Sequence, residues 1–292
     1  MIIGVVVTHS SPAAQLDRCL NALLADGGPE CVVVVDNGDV ACVPGAVDPR
    51  AADAAAIEVL RVENRGYGAA ANAGIRRARE LGATAVALLN DDVIVTPGWL
   101  EPLVAELGAG RAGAVQPKLV FADRRLATIN SLGVTIDRTG AGHDTAFGDP
   151  DRVVPTTDID AFTGGAVLFD PTFLDETAGF DERYFLYYED VDLAARGARL
   201  GWRYRCVPAS VVEHIGSATT SAHPERTLFL QERNRLWCAF RNADPGTIAR
   251  ALCLSVRRLR HRPRVVHAKA LAAALGGAPV RGWERARAHS TT

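Results

Sequence analysis

Two groups of carboxylates have the types and spacing that chemistry needs. The stretch Leu88–Val95 reads LLNDDVIV, so Asp91 and Asp92 are adjacent between aliphatic runs. Burying two like charges side by side makes each costlier to ionise, and the pair calls for something positive. A hard divalent cation answers that need, since it is usually held by one or two carboxylates together with substrate phosphates. The plainer alternative is a pair of capping acids ahead of Pro97. The second group is YYEDVDL, in which Glu189, Asp190 and Asp192 crowd the first turn of a helix. The helix dipole favours acids there, and Asp192 stands four residues before Arg196 as in a normal helical ion pair. One carboxylate beside Tyr184, Phe185, Tyr187 and Tyr188 also suits a general base, because aromatic packing desolvates it and raises its pKa.

His214, in VVEHIG, suits a third metal ligand near the acidic pair, or equally a hydrogen-bonded structural histidine. His9, His143 and His223 have no comparable neighbours in sequence. In ENRGYGAAANAGI, Gly66, Gly68 and Ala71 satisfy the loose dinucleotide fingerprint G-x-G-x-x-A. The match is displaced, because Glu63, Asn64 and Arg65 intervene and two strands precede it. A Gly-rich helix start whose backbone N–H groups face an anion is the simpler reading, with Arg65 either assisting or merely on the surface.

The elements that must position these residues alternate. IIGVVVTH, CVVVVDN, IEVLRV and AVALLN read as strands, the valine runs suiting a sheet covered on both faces. Helical patterns lie between them, and Thr96 with Pro97 predicts a helix start running to about Leu107. The alternation predicts a parallel sheet flanked by helices. Ligands of such sheets bind beyond the carboxyl ends of the strands, where Thr8 and His9, Asp36 and Asn37, and Asn90, Asp91 and Asp92 converge. Beyond residue 115 the pattern is less regular. AFTGGAVLFD is a strand whose Gly164 and Gly165 allow close approach of a backbone or ligand. A helix from about Glu189 to Leu200 stops at Gly201, and RYRCVPASVVEHIG reads as two short strands. From Glu225 onward the chain is helical and increasingly basic.

Of the 292 residues, 48% are apolar, enough for a sizeable core, yet the sequence has no run of the roughly 18 apolar residues that a membrane span needs. The start, MIIGVVVTHSS, lacks a signal peptide's positive region and reads as a first strand. Six cysteines without CxxC or zinc spacing, Cys19, Cys31, Cys42, Cys206, Cys238 and Cys253, predict reduced thiols in a cytosolic protein. Charge is uneven. From Arg250 to the end there are ten Lys/Arg and one acid, Glu284, while the remainder carries 22 Lys/Arg against 33 Asp/Glu. Such a tail suits an anionic partner such as lipid or nucleic acid, or is simply solvated.

Taken in order, VVVTHSS, VVVVDNGD, ENRGYGAAANAGI, LLNDDVIVTPGWL, TGGAVLFD, GFDERYFLYYEDVDLAARGARLGW and ERNRLWCAFRN resemble the family 2 glycosyltransferases, particularly the bacterial rhamnosyltransferase-like group. The resemblance spans roughly residues 1–242. It implies an α/β fold of the GT-A type, with a mostly parallel central sheet flanked by helices. A nucleotide-binding half (1–115) and an acceptor half (116–242) precede a basic helical extension (243–292). Residue by residue, it implies Thr8 and Asp36 in the nucleobase pocket, and Asn64, Arg65, Gly66, Asn72, Asn90 and Asp91 as further donor-binding positions. Asp92 and His214 become ligands of Mg2+ or Mn2+, Gly164 and Gly165 a turn near sugar and acceptor, and Asp190 the catalytic base. The chain departs from the family pattern in having Asn37-Gly38-Asp39 after Asp36 and Asn90 at the head of the acidic motif; neither change removes a required charge.

The implied activity is inverting, metal-dependent transfer of a sugar, with L-rhamnose suggested by the group. The donor is a nucleoside diphosphate sugar, and the acceptor a glycan, lipid-linked or natural-product hydroxyl. The expectation is a cytoplasmic protein with no nucleic-acid partner; with a lipid-linked acceptor, the charge of the basic end would suit peripheral contact with anionic lipid at the inner face of the membrane. Three rivals remain at this level. A sugar-1-phosphate nucleotidyltransferase would carry a basic Gly-rich loop where this chain has THSSPAAQLDR. An NAD-dependent oxidoreductase would use the Gly-rich turn, and a catalytically degenerate glycan-binding scaffold would form no product.

Overall fold

The computed structural model describes residues 1–25, 28–39, 56–123, 128–215 and 223–290; Cys42 lies outside them. The first half lays down β1 (Ile2–Thr8), α1 (Ala13–Leu23), β2 (Cys31–Asp36), β3 (Ala56–Arg61) and α2 (Tyr67–Glu80). It continues with β4 (Ala85–Asn90), β5 (Val93–Val95) and α3 (Leu100–Gly108). β1 pairs in parallel with β2 and β4, and β2 with β3. The valine runs are apolar on both sides because both sides are covered. Ile3, Val5, Val7, Val33 and Val35 pack with Ala70, Ala71, Ile75 and Ala78 of α2. Val6, Val32 and Val34 pack on the other face with Leu16, Leu20 and Leu23 of α1.

Small residues bring α2 close to the sheet. A Cβ on Gly74 would come within 2.3 Å of Val5 Cγ1 and 2.8 Å of Val35 Cγ2. Overpacking of this kind costs about 1–3 kcal/mol, more than the helix-propensity gain of alanine over glycine, about 1 kcal/mol. Gly74→Ala is therefore expected to destabilise the fold in urea unfolding; unchanged stability would mean that α2 can move off the sheet.

The second half adds β6 (Ala112–Phe121), β7 (Ile129–Ser131), β8 (Val134–Ile136), β9 (Gly142–Asp144), β10 (Thr157–Asp158) and β11 (Ala166–Phe169). Then come α4 (Pro171–Thr177), a 3-10 turn at Glu182–Tyr184, α5 (Glu189–Arg199) and β12 (Arg203–His214). Three helices close the chain: α6 (Pro224–Asn242), α7 (Pro245–Arg258) and α8 (Arg264–Ser290). The sheet has ten strands, in the order β10-β12-β6-β11-β4-β1-β2-β3, with β5 also on β12 and β7 on β6. β11 enters antiparallel between β4 and β6, so the sheet is parallel on the first-half side and mixed beyond it.

Local expectations need two corrections. The helix after the acidic pair begins at Leu100 rather than at Thr96. Gly98, with φ +75, breaks the path, and Thr96 Oγ1 instead donates to Val211 O at 2.8 Å, stitching β5 to β12. The two short strands after Trp202 are one, β12, whose register shifts between Val207 and Val211. Pro208 falls in that irregularity, where it has no ladder N–H to give. The stop at Gly201 is as expected, its φ being +82.

Asp192 joins α5 to α6 as a fully buried hub. It accepts from Arg196 at 2.8 Å, Arg241 at 3.0 Å, Asn242 at 2.9 Å and the Tyr184 hydroxyl at 3.2 Å. Burial alone would raise its pKa, but Arg196 and Arg241 hold it below the ordinary carboxylate value. α6, α7 and α8 share a smaller core of Leu236, Ala239, Phe240, Ala251 and Ala274. Among the described residues no helix is long and apolar enough to cross a membrane.

Candidate active site

Parallel register aligns the strand ends. Thr8 lies opposite Asp36, and Val7 opposite Asn90, so β1, β2 and β4 finish along one edge. The β5–β12 pairing sets His214 against Val93, one residue past Asp92. β5, a three-residue strand that sequence periodicity does not reveal, thus brings His214 beside the acidic pair, and Ile215 N donates to Asp92 O at 2.9 Å.

Asp91 and Asp92 relieve their repulsion by pointing to different partners. Asp91 Oδ2 accepts from Thr8 Oγ1, and Oδ1 from Gln15 Nε2 at 3.2 Å. Burial raises its pKa, while the bonds from Thr8, Ser11 and Gln15 pull it back. Asp92 Oδ2 stands 3.2 Å from His214 Nε2, and the other ring nitrogen lies 3.0 Å from Asn130 Oδ1. Asp92 Oδ1 is buried with no hydrogen-bond partner. A buried carboxylate oxygen in that condition costs stability unless something positive reaches it. Asp92 and His214 thus fit a divalent cation that completes its shell with phosphate oxygens. Among the described residues no three His, Cys, Asp or Glu gather to hold a metal by themselves.

Asp36, also buried, accepts from Gly38 N at 2.9 Å and pairs with Arg61 at 3.2 Å. Arg61, at the end of β3, is a neighbour that the sequence pattern does not single out. Asn90 N donates to Gly165 O at 3.0 Å, tying the acidic strand end to the double glycine.

The Gly-rich turn serves protein rather than facing an open anion site. Gly66 has φ +97, and a Cβ there would fall 2.2 Å from Phe185 O. The N–H of Tyr67, at the start of α2, is spent on that same carbonyl at 2.7 Å. Asn64 Oδ1 accepts from Gly66 N at 3.2 Å, and Arg65 pairs with Glu182. The Asn72 amide bonds Phe180 at both N and O, at 2.9 Å each. In this structure Arg65, Gly66 and Asn72 are therefore in contact with the 180–188 segment, with Asn64 bonded to Gly66, while Val62, just before them, donates to Asp36 O at 3.0 Å.

That segment leads into the half-buried Asp190. Asp190 Oδ2 accepts from Gly164 N at 3.2 Å, and Gly164 O accepts from the Tyr67 hydroxyl at 2.7 Å. A Cβ on Gly164 would meet the Tyr67 ring at 3.1 Å, so glycine keeps this contact close. Burial pushes the Asp190 carboxyl up to about 6, against the lowering effect of the Val191 and Gly164 N–H groups. The adjacent Glu189, buried with Oε2 unpartnered, is raised by burial and by Asp190. Tyr67 lies within electrostatic reach of all three carboxylates: burial raises its pKa, and the charges of Glu189, Asp190 and Asp92 raise it further.

The approach to Asp190 is strained. Phe185, Tyr187 and Tyr188 have φ values of 69, 70 and 70, left-handed conformations that cost bulky residues about 1–3 kcal/mol each. What holds them is Asn234 on α6, whose amide nitrogen lies 3.0 Å from Tyr184 O, 2.8 Å from Leu186 O and 2.8 Å from Tyr187 O. Sequence reasoning missed Asn234, although it stands in the ERNRLW motif. Also missed are Tyr67 and Asn130, and Asp144 of β9, whose charge acts on Asp190 and which itself feels the charge of His214.

Comparison with known proteins places this geometry in a family. Residues 5–133 match glycosyl transferase family 2, and residues 85–262 match glycosyl transferase family group 2. The N-acetylglucosaminyl-diphospho-decaprenol L-rhamnosyltransferase of Mycobacterium tuberculosis is 29% identical over 90% of this chain and 95% of its own length. A pre-mycofactocin glycosyltransferase from the same organism is 30% identical over 63% of this chain and 37% of its own. Among solved structures, GalNAc-T7 with UDP, GalNAc and Mn2+ superposes with a TM-score of 0.68 at 14% identity, covering 100% of this chain and 57% of that one. The mannosyltransferase PcManGT of Pyrobaculum calidifontis, in complex with GDP-Man and Mn2+, gives 0.57 at 18% identity, over 99% and 84%. At such identities these two speak for the fold alone, which is of the GT-A type. With more than half its length matched, the chain belongs to the family 2 glycosyltransferases and is similar to their rhamnosyltransferases.

Proposed function

We propose that this glycosyltransferase moves one sugar, L-rhamnose, from a nucleoside diphosphate to a hydroxyl of a lipid-linked glycan at the cytoplasmic face of the membrane, inverting the anomeric carbon. The observation that carries the reading is the buried, unpartnered Asp92 Oδ1 beside His214, with Asp190 and the Tyr67 hydroxyl both bonded to Gly164, next to the Gly165 whose carbonyl ties back to Asn90. The choice of sugar and acceptor is supported by the printed name of the M. tuberculosis relative.

In this reading Thr8 and Asp36 line the nucleobase pocket, and Asn90 and Asp91 the ribose. Asp92 and His214 hold Mg2+ or Mn2+, whose chemistry when bound is neutralisation of the leaving diphosphate. Gly164 and Gly165 let sugar and acceptor approach the backbone closely. Asp190 takes the acceptor's hydroxyl proton as the new bond from that oxygen to the anomeric carbon forms. The bond to the diphosphate oxygen breaks on the opposite face, and the proton remains on Asp190. Asn64, Arg65, Gly66 and Asn72 support the segment that carries Asp190.

The test is calorimetric titration with UDP, dTDP and GDP, each with Mn2+ and with EDTA. One nucleotide, dTDP if L-rhamnose is the sugar, is expected to bind in a metal-dependent way. Asp92→Ala should weaken that binding at least 10–100-fold, the range lost when even an outer-shell partner of a metal site is removed. It should also erase the difference between Mn2+ and EDTA. Normal metal-dependent binding in this variant would overturn the assignment.

A further inference from the structure

Residues 245–283 contain eight Lys/Arg and no acid. The basic residues are not spread evenly over the surface. Arg257, Arg260, Arg262 and Arg264 are all exposed at the turn between α7 and α8, with His261 among them. Among the described residues none of these four arginines has an ion pair; Arg258, by contrast, is tied to Glu232. Two aliphatic side chains flank the cluster and face solvent, Val256 at 55% and Val265 at 65% exposure. Burial in the local core would be the ordinary fate of such residues. Uncompensated cations around bare aliphatic tips match an anionic bilayer, which offers phosphates at its surface and hydrocarbon just beneath.

The placement of the turn adds a geometric argument. Arg235 of α6 bonds Ala251 O and Ser255 Oγ of α7, and Glu232 bonds Arg258. α7 therefore runs antiparallel to α6, and the residues beyond Arg258 continue toward the first turns of α6. There Arg226 stacks on Phe185 with its guanidinium 4.8 Å from the ring centroid. Phe185 belongs to the strained segment that ends at Asp190. The basic turn thus stands at the end of α6 that carries Phe185, the first residue of the strained segment, which from there runs along α6 past Asn234.

We propose that the α7–α8 turn docks on an anionic lipid bilayer and holds the strained segment that begins at Phe185 near the membrane surface. The purpose of such docking rests on the lipid-linked acceptor proposed above; the binding itself does not. The test is co-sedimentation of the full chain with vesicles of neutral phosphatidylcholine and with vesicles containing phosphatidylglycerol. Binding is expected only to the anionic vesicles, falling steeply between 0.1 and about 0.5 M salt as screening sets in. Each exposed arginine near such a surface contributes roughly fivefold in affinity, so Arg260→Gln/Arg262→Gln/Arg264→Gln together should lose about a hundredfold. Val256→Asp/Val265→Asp should also lose binding without changing the number of basic residues. Competition by millimolar inorganic phosphate at constant ionic strength would show a phosphate site rather than a bilayer surface. That result, or anionic-vesicle binding undiminished in the triple variant, or none by the wild type, would overturn the proposal. Nucleotide titration of the same variants, expected to be unchanged, keeps this outcome separate from the reading of the cleft.

Discussion

Replacing Asp190 with Asn is expected to lower transfer at least a thousandfold while leaving metal-dependent nucleotide binding within about twofold. Positioned general bases contribute about 10²–10⁴-fold, and an amide of the same shape has no lone pair basic enough to take the acceptor proton. The pH profile separates this loss from misfolding. Burial holds the wild-type carboxyl up near 6, so activity should fall about tenfold per pH unit on the acid side of that value. The residual rate of the variant should lack this limb. Linkage works in the opposite direction. A raised folded-state pKa means that the native protein holds the proton more tightly than the unfolded chain, so stability falls as the pH rises from the ordinary carboxylate value to about 6 and the full cost persists above it. Asn removes that cost, and the variant should melt no lower than wild type at pH 7.5. Wild-type turnover in Asp190→Asn would remove Asp190 from the mechanism.

The second large effect is expected at Asn234, which touches no substrate in the proposed reaction. Asn234→Ala takes the donor from the carbonyls of Leu186 and Tyr187, while Tyr184 O keeps its bond from Arg233 at 2.8 Å. Acceptors left unpaired cost about 1–3 kcal/mol each, so for two of them a loss of about 2 kcal/mol or more in urea unfolding is expected. Once released, Phe185, Tyr187 and Tyr188 can relax from their left-handed conformations, carrying Asp190 with them. A misplacement of about 1 Å can cost a hundredfold in rate. kcat should therefore fall roughly ten- to a hundredfold with the donor KM nearly unchanged. Asn234→Asp keeps the shape but turns an acceptor toward the same carbonyls, and should be as impaired in kcat. If either variant folds with wild-type kcat, Asn234 is structural only.

Much of the architecture was legible because its signals are local. Four apolar strands, the glycines at turns and the acids at the start of α5 follow from side-chain alternation, backbone freedom and the helix dipole. The polar residues at three strand ends lie along one edge of the sheet, as read from the sequence, because parallel strands finish together. The helix start after the acidic pair was misplaced: Thr96 and Pro97 look like a cap, but Thr96 is drawn instead to Val211 on another strand. β12 was read as two strands because proline normally ends a ladder, whereas here the register shifts around it and continues. In the Gly-rich turn, spacing alone could not reveal that Phe185 O would occupy the N–H of Tyr67.

By itself the sequence determined the fold class, the family and the residue types available for chemistry, since composition, periodicity and motif order are properties of the chain. It also held, in the ordered pieces around Asp92, Asp190 and His214, the names of the principal actors. Only the tertiary structure decided how they meet. His214 reaches Asp92 through a three-residue strand, Asp190 is aimed by an asparagine 44 positions later, and Asp91 turns away to Thr8 and Gln15. These are contacts between segments remote in the chain, set by sheet register and helix packing. Burial, too, exists only once the chain is folded, and burial is what lifts the Asp190 carboxyl toward a pKa suited to a base.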